Sequence, residues 1–461
     1  MLNRERRTAL YTKVIIVSLL GVFGLWGDET SFNFSAEANL RLSYDEVNRE
    51  SLLNRNNVKN LPYENFKLGL SVSCRRFFSK LGFACKFRGE FSYMSEFNTS
   101  KYEKMVKNGS SYLVADEFYI DALINRSIYA VIGKERVVIG NGMVFNPLDV
   151  INPKQYPDVP MTKEEGAIIA KLEFTPNDVF SAKLIYQPDL VGFDNRFDYK
   201  ASALAAKTAV LIKSLDLSIF VYEKIKSNGE IESPLLAASA NFMTPIYLGV
   251  YTDIGWKNGS DYTFFTNTGE KFYEKERFFP FALIGISYVL QRAVSLTAIV
   301  EYLRNGEGCS NENRRGFFRS IEAAYSSVDS ARSAIERLEG NAGISSEEKA
   351  AERELLSSMV GRGFGQAMGI STYYTPYFLN RDYLALQIRI GEIFNRVDLR
   401  SLTVTALNDR SAVTSGYIDY KFVETFILSL AYSKVLAGNG YSQYGNLYKS
   451  HAAALIARFL F

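Results

Sequence analysis

Polar side chains, many of them charged, alternate with apolar ones along many short segments of this chain. In the segment that begins near residue 32, Glu37 and Arg41 alternate with apolar residues such as Ala38 and Leu40. Because side chains point alternately to opposite faces of a β-strand, this spacing predicts a sheet with one charged face. Rows of charges of both signs can select polar or charged solutes, or they can pair with one another and stiffen the wall. The charged residues singled out on this face are Glu37, Arg41, Lys67, Lys86, Arg88, Glu90, Glu117, Asp121, Glu301 and Arg389.

A second candidate site is the segment 140–160, which contains two Asn-Pro pairs and two further prolines. Gly140 and Gly142 permit tight backbone turns, and the prolines restrict the chain that follows. Apolar residues such as Phe145 and Leu148 predict that the segment folds against neighbouring strands, with an ordered surface loop as the alternative. If the strands enclose a lumen, the residues expected to narrow it are Asn146, Pro147, Asp149, Asn152, Pro153 and Asp158.

The sequence contains no recognisable catalytic, metal or cofactor motif. The only histidine is His451, and no Ser or Asp near it in sequence has a telling spacing. The glycines of 133–142 are not followed by a helix start, so they do not form a phosphate-binding loop. No Cys/His cluster suggests zinc or iron. The net charge of +3 does not indicate a nucleic-acid partner. We therefore predict no enzymatic activity, no metal and no cofactor.

The alternating segments number about eighteen, and the connections between them alternate in length, as in transmembrane barrels. The short connections are 75–80, 125–127, 175–178, 213–216, 244–245, 291–292, 395–398 and 423–425. Nearly all of the others are long, with 408–411 as an exception. We predict an all-β fold, a transmembrane antiparallel up-and-down β-barrel of about 18 strands, with about 16 or 20 as alternatives. A barrel of this size is wide enough for an aqueous channel.

A soluble β-sandwich would show the same alternation, so the start of the chain helps to decide between the two folds. Basic residues precede the uncharged apolar stretch Val14–Trp26. This stretch is shorter than the roughly 20 residues of a membrane-spanning helix and fits a signal peptide. We predict a signal peptide over residues 1–27, cleaved after Gly27 or after Gly24, with an uncleaved anchor as the alternative. The barrel then comprises residues 28–461.

The end of the chain agrees with this interpretation. The last alternating segment carries Phe459 and Phe461 on its apolar face. We expect these two aromatic residues to be the signal by which the barrel assembly machinery inserts the protein into outer-membrane lipid.

One region departs from the period-two pattern. Apolar residues at helical spacing predict a helix that Gly340 ends, and Ser345 with Glu348 forms a capping box that begins a second helix. The prediction is a helical hairpin over residues 317–360, inserted in the longest loop. It can be a lid or binding element, or a solvated decoration. Alternatively, residues 317–323 form a strand, which would give about 20 strands and place the hairpin on the periplasmic side.

The three cysteines do not predict a disulfide framework. Cys74 and Cys85 fall on the apolar face of neighbouring strands, and the turn predicted at 75–80 does not place them opposite each other. We expect them to be small apolar residues that face lipid without a disulfide.

Residues 133–142, followed by Phe145-Asn-Pro-Leu-Asp149 and Asn152-Pro153, resemble the signature of alginate-export-like porins of bacterial outer membranes. Segments 301–306, 408–411 and 440–445 agree with that resemblance. It implies a passive or substrate-selective pore. The chain departs from the family pattern at Lys134 and Glu135, where the family has Arg-Gln, and at Ile139, where it has Trp.

Together these features predict an outer-membrane channel through which small hydrophilic solutes pass. The alternative is a surface-exposed adhesin or ligand-binding barrel with a closed lumen. Neither interpretation predicts an oligomeric state.

Overall fold

The alternating segments pair side by side into one closed sheet. The computed structural model describes residues 32–53, 55, 64–78, 80–95, 110–152, 166–191, 196–225, 231–260, 262–292, 294–341, 343–371, 379–438, 441–447 and 449–461. The predicted signal peptide lies outside the described residues, as do Pro153 and Asp158 of the predicted loop.

The sheet has 18 strands, each antiparallel to its neighbours. The strands are β1 (Phe32–Val47), β2 (Glu64–Phe78), β3 (Leu81–Ser95), β4 (Ser110–Asn125), β5 (Ile128–Glu135), β6 (Ala167–Phe174), β7 (Phe180–Val191), β8 (Arg196–Ile212), β9 (Leu215–Ile225), β10 (Ile231–Met243), β11 (Leu248–Asn258), β14 (Phe278–Gln291), β15 (Ser295–Asn305), β16 (Asp382–Ile393), β17 (Val397–Ala406), β18 (Ser411–Val423), β19 (Phe426–Ala437) and β20 (Lys449–Leu460). A separate small hairpin, β12 (Thr263–Phe265) and β13 (Lys271–Tyr273), lies in the connection from β11 to β14. Pairing of β20 with β1 closes the barrel.

The predicted strand number is therefore confirmed, and the alternatives of 16 and 20 barrel strands are wrong. Short turns join the strands at one end of the barrel, as the connection lengths predicted. At the other end, connections 192–195 and 226–230 are shorter than expected, because β7 to β10 extend further than the alternation indicated.

The two faces of the sheet differ as the period-two pattern predicts. On β5, Ile132 is 69% exposed on the outer face, whereas its neighbour Val131 is 1% exposed on the inner face. Large apolar side chains cover the outer face of most strands, including Leu70, Ile284 and Leu430. An apolar surface of this extent is stable in lipid and not in water. None of the helices among the described residues is long and apolar enough to cross a bilayer.

The predicted helical hairpin is confirmed in the connection from β15 to β16. Its helices are α1 (Asn311–Gly340) and α2 (Ser346–Ser371). The capping box forms, because Ser345 Oγ accepts from the Glu348 N–H (3.3 Å) and Glu348 accepts from the Ser345 N–H (3.3 Å). The alternative of a strand over 317–323 is wrong. That segment belongs to α1, and its apolar side chains Phe317, Phe318 and Ile321 are buried against loops beyond the strand ends.

The first half of α1 is packed onto the long-loop end of the barrel. Phe317, Phe318 and Ile321 form a buried cluster with Leu53 from the β1–β2 connection and Phe265 of β12. This half of α1 therefore belongs to the folded core at the mouth of the barrel. The hairpin is not a purely solvent-exposed insertion.

A buried polar network fixes the start of α1 to the loops around it. The Arg314 guanidinium donates to the Tyr441 carbonyl (3.1 Å) and to Asn380 Oδ1 (2.6 Å). Asn380 donates in turn to Asp409 (2.9 Å), which also accepts from the Gln443 N–H (2.7 Å). Segments 408–411 and 440–445, which sequence resemblance had singled out, thus meet at the base of the hairpin.

The prediction for Cys74 and Cys85 is wrong. β2 runs to Phe78 and β3 begins at Leu81, so the turn is centred two residues later than 75–80 and the two cysteines lie directly opposite each other. Their Cα atoms are 5.4 Å apart, and they form a disulfide on the outer face. The third cysteine, Cys309, is buried, and burial raises the pKa of its thiol to about 12.

These positions predict how many thiols react with a maleimide. The folded protein is expected to bind none, because Cys74 and Cys85 are bonded and Cys309 is shielded and protonated. After unfolding without reductant, one thiol should react, and after reduction all three. Mass spectrometry of the labelled protein measures the count. Three reactive thiols after unfolding without reductant would contradict the disulfide.

Candidate functional site

The connection after β5 enters the barrel and crosses its lumen. Phe145 packs among inner-face side chains of β15 to β17, including Leu303, Tyr383 and Val404. β5 is the fifth strand of the ring and β15 is the thirteenth of 18, so these strands lie on opposite walls. The segment 136–152, called here the lumen loop, therefore reaches from one wall to the other.

A buried carboxylate anchors the far end of the lumen loop. Glu301 on β15 is 0% exposed. Its oxygens accept from the N–H groups of Met143 (2.6 Å), Val144 (3.1 Å) and Phe145 (2.7 Å). Tyr251 also donates its hydroxyl proton to Glu301 (2.6 Å). Hydrogen bonds to an ionised carboxylate are about twice as strong as neutral ones, so this contact fixes the loop firmly.

A second carboxylate holds the same bend. Asp253 on β11 is fully buried and accepts from the Asn141 N–H (2.9 Å). The Asn141 side chain donates to the Ala240 carbonyl of β10 (3.1 Å). Asp253 was not among the residues predicted from the sequence, although it lies on the polar face of β11 and follows the same alternation as the predicted residues.

Only glycine fits at two positions of this bend. Gly140 has φ +85°, which side-chain-bearing residues rarely adopt. A Cβ on Gly142 would lie 1.7 Å from the carbonyl oxygen of Phe145. These two glycines allow the backbone to approach Glu301 and Asp253 closely enough for its N–H groups to bond.

The remainder of the loop has an apolar side that packs against the wall next to β5. Val137, Ile139, Leu148 and Ile151 form one buried cluster with inner-face residues of β6 to β10. Asn152 closes this part of the loop, since its side chain donates to the Val137 carbonyl (2.6 Å) and accepts from the Val137 N–H (3.1 Å). Burial of each of these apolar side chains stabilises the packed loop by about 1.5–3 kcal/mol relative to leaving the side chain in water.

The other predicted loop residues stabilise its local turns. Asn146 Oδ1 accepts from the Leu148 N–H (3.2 Å), with Pro147 between them. Asp149 accepts from the Asn152 side chain (2.7 Å). Burial raises the pKa of the Asp149 carboxyl, and the hydrogen bonds from Asn152 oppose this shift. A role of these residues in narrowing a pore stays a prediction.

The predicted charges on β1 to β4 lie on the inner wall. Glu37, Arg41, Lys67, Lys86 and Glu117 are each partly exposed to the lumen. Arg88 and Glu90 are predicted for the same face, and their side chains lie outside the described part of the structure.

Two of the predicted charges are buried within the wall. Asp121 is 3% exposed, accepts from the Tyr129 hydroxyl (2.9 Å) and lies 3.6 Å from Arg75. Glu301 is occupied by the lumen loop. Arg389, by contrast, keeps 54% of its side chain exposed, 3.5 Å from Asp398.

A further charged group on the inner wall was missed. Near the short turns, Asp419 of β18 accepts from Arg400 of β17 and from Arg458 of β20 (3.0 Å). Lys421 lies nearby, 3.6 Å from Asp398. All of these residues follow the period-two pattern, so the same rule could have found them.

His451 lies away from the lumen. Its Nδ1 is 2.8 Å from the Tyr432 hydroxyl and its Nε2 is 3.8 Å from Glu46, and the strand alternation places all three on the outer face. Among the residues that the structure describes, no three His, Cys, Asp or Glu side chains are grouped closely enough to hold a metal ion.

A closed barrel with an apolar outer face and a charged lumen belongs to the class of membrane-spanning β-barrels. Solved structures of this fold include OccK5 (OpdH) of Pseudomonas aeruginosa, with a TM-score of 0.50 and 7% identity over 94% of this chain and 98% of that one. OccAB1 of Acinetobacter baumannii has a TM-score of 0.49 and 9% identity over 94% and 96% of the two chains. OprD of Pseudomonas aeruginosa has a TM-score of 0.47 and 9% identity over 93% and 95%.

At such identities the likeness concerns the fold alone. No protein-family model matches the sequence, and a search of curated proteins found no match. The resemblance to alginate-export-like porins therefore stays a prediction.

Proposed function

We propose that this protein is an outer-membrane channel through which small hydrophilic solutes pass. The observation that carries the proposal is the lumen loop, anchored across a wide barrel whose inner wall is charged. Barrels of about 16–18 strands leave room for an aqueous channel, and a fixed internal loop narrows that channel without filling it.

Several charged side chains of the wall remain in contact with water. Arg389 is 54% exposed, Arg400 is 39% exposed and Lys421 is 40% exposed, all on the inner face. Charges in a sealed interior would be buried and paired. Their exposure supports a water-filled lumen.

The proposal includes the route to the membrane. Export uses the signal peptide over residues 1–27, and the barrel assembly machinery inserts the chain into outer-membrane lipid by reading Phe459 and Phe461. In the folded barrel, Phe459 stacks on Phe426 of β19 (4.8 Å between ring centroids). The Phe461 N–H donates to the Ala36 carbonyl (2.8 Å). These contacts support a role of the last strand in closing the barrel.

An adhesin or ligand-binding barrel with a closed lumen is the second candidate, favoured by the packing of α1 over the mouth. Purified full-length protein in planar bilayers distinguishes the two. We expect stepwise single-channel currents. Protein that inserts in folded, heat-modifiable form without conducting would overturn the channel proposal in favour of the closed barrel.

Charge on the inner wall is expected to set ion preference. Replacing Lys86 and Arg88 with Gln should shift the reversal potential in a salt gradient toward cation selectivity, because two positive charges leave the lumen. The control is Lys434→Gln, which removes a positive charge from an exposed outer-face site. The Debye length is about 10 Å at 0.1 M salt, so the control should not move the reversal potential. Equal shifts from both would contradict the assignment.

A further inference from the structure

The lumen loop divides the inside of the barrel unequally. We infer that the solute path runs along one side only, between the lumen loop and the wall formed by β1 to β3, and not along the barrel axis. The inference rests on the proposed channel function and adds the route and the residues that solutes meet.

The side bounded by β6 to β10 is sealed by apolar packing. Ile169 is 2% exposed, Ala205 is 3% exposed and Phe220 is 1% exposed, although all three point into the lumen. The side chains that cover this wall are Val137, Ile139, Leu148 and Ile151 of the lumen loop. A hydrated solute cannot pass through a contact from which water is excluded.

Toward the short turns, the same side of the barrel becomes polar. Lys183 of β7 is 34% exposed and lies 3.0 Å from Glu173. Lys207 of β8 is opposite Lys183 in the sheet register. This part is therefore a polar recess, open at the short-turn end, that stops at the apolar contact above it.

The wall around β15 to β17 is also filled in its upper half. Phe145 of the lumen loop packs there with Tyr383, Val404 and Tyr444, each less than 10% exposed. Lower on this wall, Arg389 and Arg400 are exposed again. The space below the loop is thus open, while the space at its far end is closed.

The wall of β1 to β3 is different. Its inner-face residues Arg41 of β1, Lys67 and Ser71 of β2 and Lys86 of β3 are partly exposed. None of them belongs to the buried clusters that the lumen loop forms. The loop packs against the walls of β6 to β10 and of β15 to β17, whereas the wall of β1 to β3 keeps polar side chains exposed past the loop in the described structure.

Cysteine accessibility tests the route. Ser71→Cys on β2 and Ala205→Cys on β8 stand equally far, in residues, from the short-turn ends of their strands at Phe78 and Ile212. Ala237→Cys on β10 provides a second site in the sealed wall, because Ala237 is 1% exposed. The probe is a negatively charged methanethiosulfonate, applied to the folded protein in detergent and in bilayers. The parent protein is the unlabelled control, given its bonded and buried cysteines.

Ser71→Cys should react with the methanethiosulfonate, and the labelled channel should lose part of its single-channel current. Ala205→Cys and Ala237→Cys should stay unlabelled and conduct like the parent. The inferred solute path would be wrong if Ala205→Cys and Ala237→Cys were labelled as fast as Ser71→Cys. It would also be wrong if none of the three variants were labelled. Labelling in detergent does not depend on conductance, so a protein that shows this pattern but carries no current would overturn only the proposed channel function.

Discussion

Replacement of Glu301 by Ala is expected to raise the single-channel conductance and the current noise, because it releases the far end of the lumen loop. The substitution leaves the N–H groups of Met143, Val144 and Phe145 without their acceptor. Each buried donor left unpaired costs about 1–3 kcal/mol, so the bend should move toward water in the lumen. The strand ladder does not use this side chain, and the barrel should still fold.

Two variants separate loop release from a change of lumen charge. Glu117→Ala removes the same charge from β4, on the opposite wall, and should leave the noise unchanged. Glu301→Gln retains one acceptor oxygen but presents an amide to the same N–H groups, so its effect should be intermediate. If Glu301→Ala conducts like the parent with the same noise, the loop does not depend on this anchor.

Placing a charge on the outer face should have the largest effect on folding. Leu386 of β16 is 43% exposed on the apolar surface, near the middle of its strand. Leu386→Arg should destabilise the barrel by about 2–4 kcal/mol, the cost of an arginine at the bilayer midplane. The measurement is the free energy of unfolding in urea, in lipid vesicles, with the heat-modifiable band as a check on folding.

Gln387→Arg is the matched control, since the neighbouring side chain points into the lumen and is partly exposed. It should cost much less. Equal destabilisation by Leu386→Arg and Gln387→Arg would mean that the two faces of β16 are wrongly assigned.

Local rules predicted the cysteine pair incorrectly for a reason that is general to hairpins. Alternation placed Cys74 and Cys85 on the same face, which is correct. Whether they are opposite depends on where the turn is centred, since moving the centre along the chain shifts every cross-strand pair. The prediction of 75–80 centred the turn two residues too early, because β2 ends at Phe78 and β3 begins at Leu81, so the disulfide was missed.

Local sequence patterns were enough to predict the barrel and its two faces. The direction of a side chain in a strand depends on whether its position is odd or even. The spacing of the alternating segments gives the lengths of the connections. The number of about 18 strands and the inward charges could therefore be predicted from local patterns. The helical hairpin followed from an equally local periodicity and a capping box.

The contacts of those inward residues depend on the folded barrel as a whole. Glu37 and Glu301 obey the same parity rule, yet the first is partly exposed to the lumen and the second is sealed beneath the lumen loop. The difference arises because Met143 to Phe145 cross the barrel to reach Glu301, a contact between residues more than 150 positions apart. Periodicity carries no information about such separations, since they depend on barrel width and on how the whole loop packs.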